Sequence, residues 1–575
     1  MPLPRVPAPR RSVGPCILLF AVAPAALAQR GDVEGEAQPP LSASIAVPPA
    51  PVLTPEEALA TLAVPDGYAI QLAASEPLVQ DPVCIAFGDS GELAVCEMRA
   101  YMPDVDGNRE RAPRGAVALL VDADGDGRYD ARRSIADGLV LPRAVAPCRG
   151  GWLVIAPPEL VWFADEDGDG AFERREVWDR GLGGIDSPEH AINGLVPASD
   201  GRYVCANVPW DYAFDNDRFV RVGANARGQW GISLDASGRQ YFNSNEDPLR
   251  MAAIPPRYAV RNPALGTAVG ADIRVLEDRS VESARVNAGV NRAYRDGVLR
   301  ADGRLARYTA ACAPLYVPRE RVEFLGANAK DSVFVCEPAG NLVAQVELAE
   351  DELGRAKGAP ARRDDGREFL TSTDERFRPV ALALGPDRAL YVVDMYRGVI
   401  QHRLFVTSFL RKQVESRGLA QPTGLGRIWR VKSTGSARAA AERPDARELD
   451  AIRASESACA TDDAVLASWK SAAARSPRLR WQVLLSAGEL PTARAIALLD
   501  ELLREDGSRR EWREAAVSGL AGEELALLER IARDPAWQDQ RPGRAELFEL
   551  LARCAAKPAR AADLAALAAL ERDAA

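Results

Sequence analysis

Apolar and polar positions between residues 81 and 394 repeat one phrase: an apolar run, a turn built from Gly, Asp or Ser, and a second apolar run. The first copy reads Pro82-Val-Cys-Ile-Ala-Phe-Gly-Asp-Ser-Gly-Glu-Leu-Ala-Val-Cys-Glu97, and the last reads Pro379-Val-Ala-Leu-Ala-Leu-Gly-Pro-Asp-Arg-Ala-Leu-Tyr-Val-Val-Asp394. Further copies begin at Leu141, Asn193 and Gly231, and a looser one runs from Cys312 to Glu337. Two short apolar runs joined by a tight turn predict a hairpin. Recurrence of that unit predicts six propeller blades around one axis. Alignment of the copies places strand ends at Glu97, Pro157, Asn207, Asn245, Glu337 and Asp394. These positions are expected to ring the axis, so a site there would draw on residues far apart in the chain.

The strand pattern opens at Gly67-Tyr-Ala-Ile-Gln-Leu-Ala and closes near Gly426-Arg-Ile-Trp-Arg-Val431. One end strand is expected to complete the blade begun by the other, which leaves no open sheet edge. Past residue 431 the pattern changes. A polar junction covers 432–450, and residues 451–575 are dominated by Ala, Leu, Arg and Glu. Three helical phrases recur there, starting at Arg480, Arg513 and Arg544, with apolar helices at 493–503 and 523–531 between them. Such helix pairs bury their apolar faces by stacking. The predicted fold is thus an all-β six-bladed propeller over residues 54–431, followed by an all-α HEAT-like helical repeat domain. Before the propeller, residues 29–53 are rich in Pro, Ala and acids and read as a flexible, disordered linker.

The first residues read as an export signal. Arg5, Arg10 and Arg11 precede an apolar run from Cys16, and Ala26-Leu-Ala28 is a small-residue cleavage site before Gln29. Residues 1–28 are therefore expected to be a signal peptide, and the protein to be exported, periplasmic or extracellular, with no transmembrane span. The net charge of −10 speaks against a nucleic-acid binder and leaves small molecules and proteins as partners. Export permits disulfides. Cys84 with Cys96, and Cys312 with Cys336, could face each other across hairpins as bridges or as buried thiols. No Cys-x-x-Cys occurs, and with two histidines there is neither a haem-attachment motif nor a His-rich zinc site.

Two turns carry acid–glycine runs: Asp122, Asp124, Asp126 and Asp130 in one, and Asp165, Asp167, Asp169 and Glu173 in the other, with Glu176 placed to add a bidentate ligand. Carboxylates at alternate positions around a glycine are the oxygen supply that calcium takes. Strand sequence flanks both, so neither is an EF-hand. His190, in Ser187-Pro-Glu-His-Ala-Ile-Asn, precedes an inner strand where a loop opens onto the axis. A histidine there could serve as general base, tuned by Glu189. His402 reads as a strand or loop residue with no partner. Arg99, Arg143, Arg227, Arg376 and Arg378 occupy matching places and could converge on a polyanionic ligand.

Several phrases, in order along the chain, resemble the membrane-bound dehydrogenase domain of planctomycete-type bacteria. They include Leu78-Val-Gln-Asp-Pro-Val, Glu97-Met-Arg-Ala-Tyr101, Leu141-Pro-Arg-Ala, Gly228-Gln-Trp-Gly-Ile, Asn287-Ala-Gly-Val-Asn-Arg292, Ser372-Thr-Asp-Glu-Arg-Phe-Arg-Pro379 and Asp394-Met-Tyr-Arg-Gly398. That domain is similar in turn to the soluble quinoprotein glucose/sorbosone dehydrogenases, six-bladed propellers holding pyrroloquinoline quinone and calcium at the mouth. The resemblance implies His190 as catalytic base, in the spacing His190–Leu195–Asp200, and Arg227, Arg376 and Arg378 as quinone contacts. Gly228 stands where the quinoproteins have Asn, and Ala339-Gly340 where they have a quinone-contacting lysine.

Two functions follow as expectations. The first is a dehydrogenase that oxidises a sugar or polyol hydroxyl, its electrons passing to a separate acceptor such as a cytochrome c. The second is a non-catalytic propeller that binds a glycan or protein, with the helical repeats as a docking module.

Overall fold

A computed structural model describes residues 31–266, 269–326, 329–351, 355–435, 445–459, 461–537 and 542–574. The leader expected at 1–28 lies outside them. Six antiparallel sheets surround one axis. In blades 1 to 3 four strands follow one another outward, as in blade 1 with Pro82–Phe87, Leu93–Glu97, Gly115–Val121 and Ala131–Leu139. Each repeated phrase supplies the first two strands of its blade. Second strands such as Leu93–Glu97 and Leu390–Asp394 are buried at every residue, because neighbouring blades cover both faces. That explains why they read as unbroken apolar runs rather than alternating ones.

The ring closes as expected. Tyr68–Ser75 is the outermost strand of blade 6, whose inner strands are Pro379–Leu384, Leu390–Asp394 and Arg427–Ser433. The closing register pairs Tyr68 with Ser433, Leu72 with Trp429 and Ser75 with Arg427. Blade 5 takes a further N-terminal piece, Leu62–Ala63, which pairs with Leu370–Ser372. The two cysteine pairs stand directly opposite in register, Cys84 with Cys96 and Cys312 with Cys336, and all are free thiols.

Residues 31–53 are not the flexible linker that composition suggests. Arg295 pairs with Glu36 at 2.5 Å, Ser408 N donates to Asp32 at 2.7 Å, and Arg376 Nε donates to the Ala50 carbonyl at 3.2 Å. The segment has no periodicity because it forms no regular element, yet partners more than 250 residues away order it.

After Ser433 the chain becomes helical from Ala446. The helices Pro477–Ser486, Arg510–Ser518 and Arg544–Ala556, which carry the three recurring phrases, pack in sequence as one layer. Thr492–Asp506, Glu524–Arg533 and Ala561–Ala574 form the other. No helix among the described residues is long and apolar enough to cross a membrane. An insertion in blade 4, between Asp247–Ala252 and Ile273–Arg274, fastens this region to the propeller. Its Ile254, Tyr258 and Ala259 join the helical core. Its Asn262 donates to the Val517 carbonyl at 2.8 Å and to Glu524 at 2.7 Å.

The strand ends carry the loops of one face, the mouth. Glu97, Glu337 and Asp394 are fully buried there. Glu337 accepts Thr309 N and Ala310 N at 3.1 and 3.0 Å, and Asp394 accepts Arg378 N and Tyr396 N at 2.8 and 2.9 Å. These acids were expected to line the axis; instead they satisfy loop amides, and of the six strand ends only Asn245 lines the axial cavity. Burial raises Glu337 to about 7 and Asp394 to about 6. A carboxyl whose folded-state pKa is raised stabilises the fold at low pH and loses that stabilisation as pH rises through the folded value. Stability should therefore fall between about pH 4 and 7, from the ordinary carboxyl values of 3.8 and 4.5 to the raised folded ones. Glu337→Gln keeps the same acceptor for both amides and should flatten that fall in thermal melts across pH; an unchanged slope would rule Glu337 out as its source.

Candidate active site

Buried arginines at the mouth hold its loops. Arg143 donates from Nε to the Leu141 carbonyl at 3.2 Å, from Nη1 to Pro188 at 3.2 Å and from Nη2 to Gly184 at 3.0 Å. That fixes the 184–190 loop. Arg397 pairs with Asp81 at 2.7 Å and donates to the carbonyls of Met102 at 3.0 Å and Tyr101 at 2.9 Å. Arg378 donates to the carbonyls of Arg397, Pro338 and Gly398 at 3.0, 2.7 and 3.1 Å.

These loops enclose an axial cavity of about 110 Å³ whose polar lining is Tyr101, Glu189, Gln229, Asn245, Thr309 and Gln401. The Tyr101 hydroxyl donates to Glu189 Oε1. The same oxygen accepts His402 N at 2.6 Å, and Gln401 Nε2 reaches Oε2 at 3.4 Å. Burial raises the Glu189 carboxyl above its ordinary range, against the opposing pull of these donors and of His402. Burial likewise pushes the Tyr101 hydroxyl well up. The cavity thus presents a carboxylate with a raised proton affinity, steered by a phenol. Such a group can take a proton from a hydroxyl laid against it.

His402 is buried, and it has a partner after all: its Nε2 lies 2.9 Å from Glu110 Oε2, while Glu110 Oε1 accepts Met102 N at 2.9 Å. His190 sits at the cavity rim, edge-on to Phe405 with centroids 4.8 Å apart. Its Nε2 is 2.9 Å from Gln229 Nε2, and that amide donates to Asn245 at 3.0 Å. Burial, then His402, holds His190 below the ordinary histidine range. Glu189 does not tune it, because that carboxylate turns inward to Tyr101.

His190, Arg227, Arg376 and Arg378 are not brought to one cavity. Arg227 pairs with the buried Asp211 at 2.5 Å and donates to the Asn225 carbonyl. Arg376 holds the carbonyls of Ala50 and Gln421. Arg99 and Arg132 both serve Glu97. Pyrroloquinoline quinone is a tricarboxylate and needs facing cations. The arginines assigned to it are committed to Asp211 and to backbone carbonyls, and the axial cavity is lined by no cation. These residues do not fit the quinone.

Trp230 floors the cavity. Its Nε1 donates across the axis to the Val380 carbonyl at 3.1 Å, and its own carbonyl accepts Ala313 N at 2.7 Å. Next to it Gly231 has φ +83°, and a Cβ there would stand 2.5 Å from Ala313 Cα. Below the floor the inner strands surround a tunnel of about 400 Å³.

Third strands run away from the mouth, so the two acidic turns lie on the opposite face. Asp165, Asp167, Asp169 and Glu173 have carboxylate oxygens within 4.8 Å of one another, as do Asp122, Asp124 and Asp130. Asp126 falls outside its group and caps Arg128 N at 2.6 Å. Glu176 also falls outside, turned toward Arg174 and Trp178 Nε1, because it lies in the strand Arg174–Arg180 beyond the turn.

The family described as "Domain of unknown function (DUF7133)" matches residues 54–435. This chain belongs to the DUF7133 family. No curated protein matches the DUF7133 chain in sequence. Among solved structures it is similar to a Carbohydrate-Active Enzymes Family AA12 protein of Trichoderma reesei, at 12% identity, 65% of this chain, 98% of that chain and a TM-score of 0.37. The PQQ domain of pyranose dehydrogenase from Coprinopsis cinerea, in its holo form, is 11% identical over 68% of this chain and 99% of its own, with a TM-score of 0.35. The PQQ-bound aldose sugar dehydrogenase of Streptomyces coelicolor is 12% identical over 64% and 99%, with a TM-score of 0.33. At this level the likeness carries no functional argument, and the six blades of this DUF7133 protein stand on its own sheets.

Sequence reasoning nominated His190 and passed over Tyr101, Gln229 and Gln401. The signal for two of them was present: Tyr101 ends the phrase Glu97-Met-Arg-Ala-Tyr101, and Gln229 lies in Gly228-Gln-Trp-Gly-Ile. Gly231→Ala should shift the floor and lower stability by about 1–3 kcal/mol, read in thermal or denaturant unfolding. Wild-type stability in that variant would show that the backbones can part there at no cost.

Proposed function

We propose that the axial cavity takes a hydroxyl-bearing small molecule of the sugar or polyol class, and that Glu189 accepts the proton of the hydroxyl to be oxidised. The observation that carries this is the Tyr101–Glu189 pair, a buried carboxylate of raised proton affinity facing an otherwise cation-free cavity. Gln229, Gln401, Asn245 and Thr309 offer amide and hydroxyl partners for the remaining hydroxyls of a ligand. Tyr101 and His402 N hold the carboxylate in place, so no reorganisation is needed as charge moves. What the residues support is the proton half of a dehydrogenation. The carbon-bound hydrogen would leave with its electron pair, as hydride, to a separate two-electron acceptor, from which the electrons would pass to a carrier such as a cytochrome c. Export to the periplasm or beyond belongs to the same proposal and is supported by the leader-like sequence at 1–28.

The test is dye-coupled oxidation of a panel of sugars and polyols by the full chain, alongside binding measured by calorimetry. Glu189→Gln should lower turnover by about a hundredfold or more with the fold intact, and His190→Ala should retain the step. The working base is the ionised form, and burial holds its pKa above the ordinary 4.5. Activity should therefore rise with pH through a limb lying above that value and vanish on acidification. Binding without turnover for every ligand and acceptor would leave the non-catalytic, glycan-binding reading in its place, and no binding would remove both.

The Asp165–Glu173 turn is proposed to hold calcium as a strut on the face opposite the mouth. The support is its four converging carboxylates; the Asp122 turn offers three. Calcium should raise the thermal midpoint by a few degrees through preferential binding to the folded state, and Asp165→Asn with Asp169→Asn should abolish the rise. No shift at millimolar calcium would exclude the ion.

A further inference from the structure

Beside the axial cavity lies a second space, a vestibule of about 220 Å³. The two share Asn245, Thr309, Ala310, Ile400 and Gln401, so they adjoin along one wall. Consecutive residues divide between them: Glu189 lines the axial cavity and His190 the vestibule. Their charge differs. The axial cavity holds one acid and no cation, whereas Arg292, Arg295 and Arg307 line the vestibule against a single acid, Glu246.

The three arginines are not equally free. Arg295 is neutralised by Glu36 at 2.5 Å. Arg292 feels Asp32 and Glu36 but, among the described residues, gives one hydrogen bond, from Nη2 to the Gly31 carbonyl at 3.0 Å, and forms no ion pair. Arg307 is exposed and has no side-chain partner among the described residues. At the mouth, by contrast, the guanidinium nitrogens of Arg143, Arg378 and Arg397 are all taken up by carbonyls and by Asp81. Asn245 adds an amide on the shared wall.

We propose that the ligand is a sugar acid, with its carboxylate in the vestibule at Arg292 and Arg307 and its reacting hydroxyl at Glu189. This rests on the axial-cavity reading above and names the substrate class for it. A guanidinium fork matches a carboxylate in plane with two parallel hydrogen bonds. The geometry also assigns orientation: the charged end lies on the His190 side of the shared wall, and the hydroxyls lie on the Gln229 and Tyr101 side.

The experiment compares matched pairs on the full chain by calorimetry at low salt: glucose against glucuronate, and glucitol against gluconate. The acid of each pair should bind at least tenfold more tightly, and added salt should shrink the ratio. Arg307→Ala, a surface substitution that leaves the fold intact, should cut the ratio several-fold. Arg292→Ala with Arg307→Ala should bring it near one through loss of affinity for the acid. Equal binding of acid and neutral partner would overturn this inference while leaving the axial site standing. A glucose phosphate held more tightly than glucuronate would overturn the carboxylate assignment. No binding of any member would overturn the axial-cavity reading and this inference with it.

Discussion

A loop folded into the interior leaves carbonyls and amides without strand partners, and the mouth of this propeller is shaped by how those groups are satisfied. Two residue types divide the work. Buried arginines supply donors: one planar guanidinium reaches two or three carbonyls, as Arg143 and Arg378 do, and so ties together loops from different blades. Buried acids supply acceptors: Glu97, Glu337 and Asp394 each collect loop amides or guanidiniums. Both types are desolvated. Burial lowers Arg143 and Arg378 to about 10 and raises Glu337 and Asp394. Tyr101 and Glu189 inherit their positions from this frame, one through Arg397 and the other through Arg143.

The blades were legible because burial between neighbours forces their inner strands to be apolar, and because six copies of one hairpin share that requirement. Ring closure followed from the same pattern at Tyr68 and Trp429. The site was less legible. Arg143 and Arg378 directly precede first strands whereas Arg99 follows a second strand; sequence identifies a guanidinium without identifying its acceptor, and most acceptors of Arg143, Arg378 and Arg397 are backbone carbonyls that no side-chain pattern reveals. His402 looked isolated because Glu110 lies 292 residues earlier. Residues 31–53 looked unstructured because composition reports periodicity, and their order comes from separate contacts such as Glu36 with Arg295.

The two faces of the ring divide by backbone direction. Strands that end at the mouth carry buried charge committed to loops, and strands that end on the other face carry short exposed turns rich in Asp and Gly. The helical region touches the face opposite the mouth, where Arg478 pairs with Glu350 at 2.9 Å and Glu511 pairs with Arg355. It seizes the insertion of blade 4, where Tyr258 is hydrogen-bonded to Glu456 and Gln482 at 2.6 and 3.0 Å. A buried polar contact of that kind fixes orientation as well as attachment, so the helices and the propeller share one interface core.

The strand Tyr68–Ser75 carries a consequence for the order in which the molecule is made. Synthesised among the first elements, it has no partner until Arg427–Ser433 emerges more than 350 residues later. Throughout that interval one blade lacks its outer edge and an unpaired strand is open to other chains. The ring cannot lock until almost the whole propeller exists, so early termination anywhere before residue 427 would release a chain whose first and last blades cannot meet.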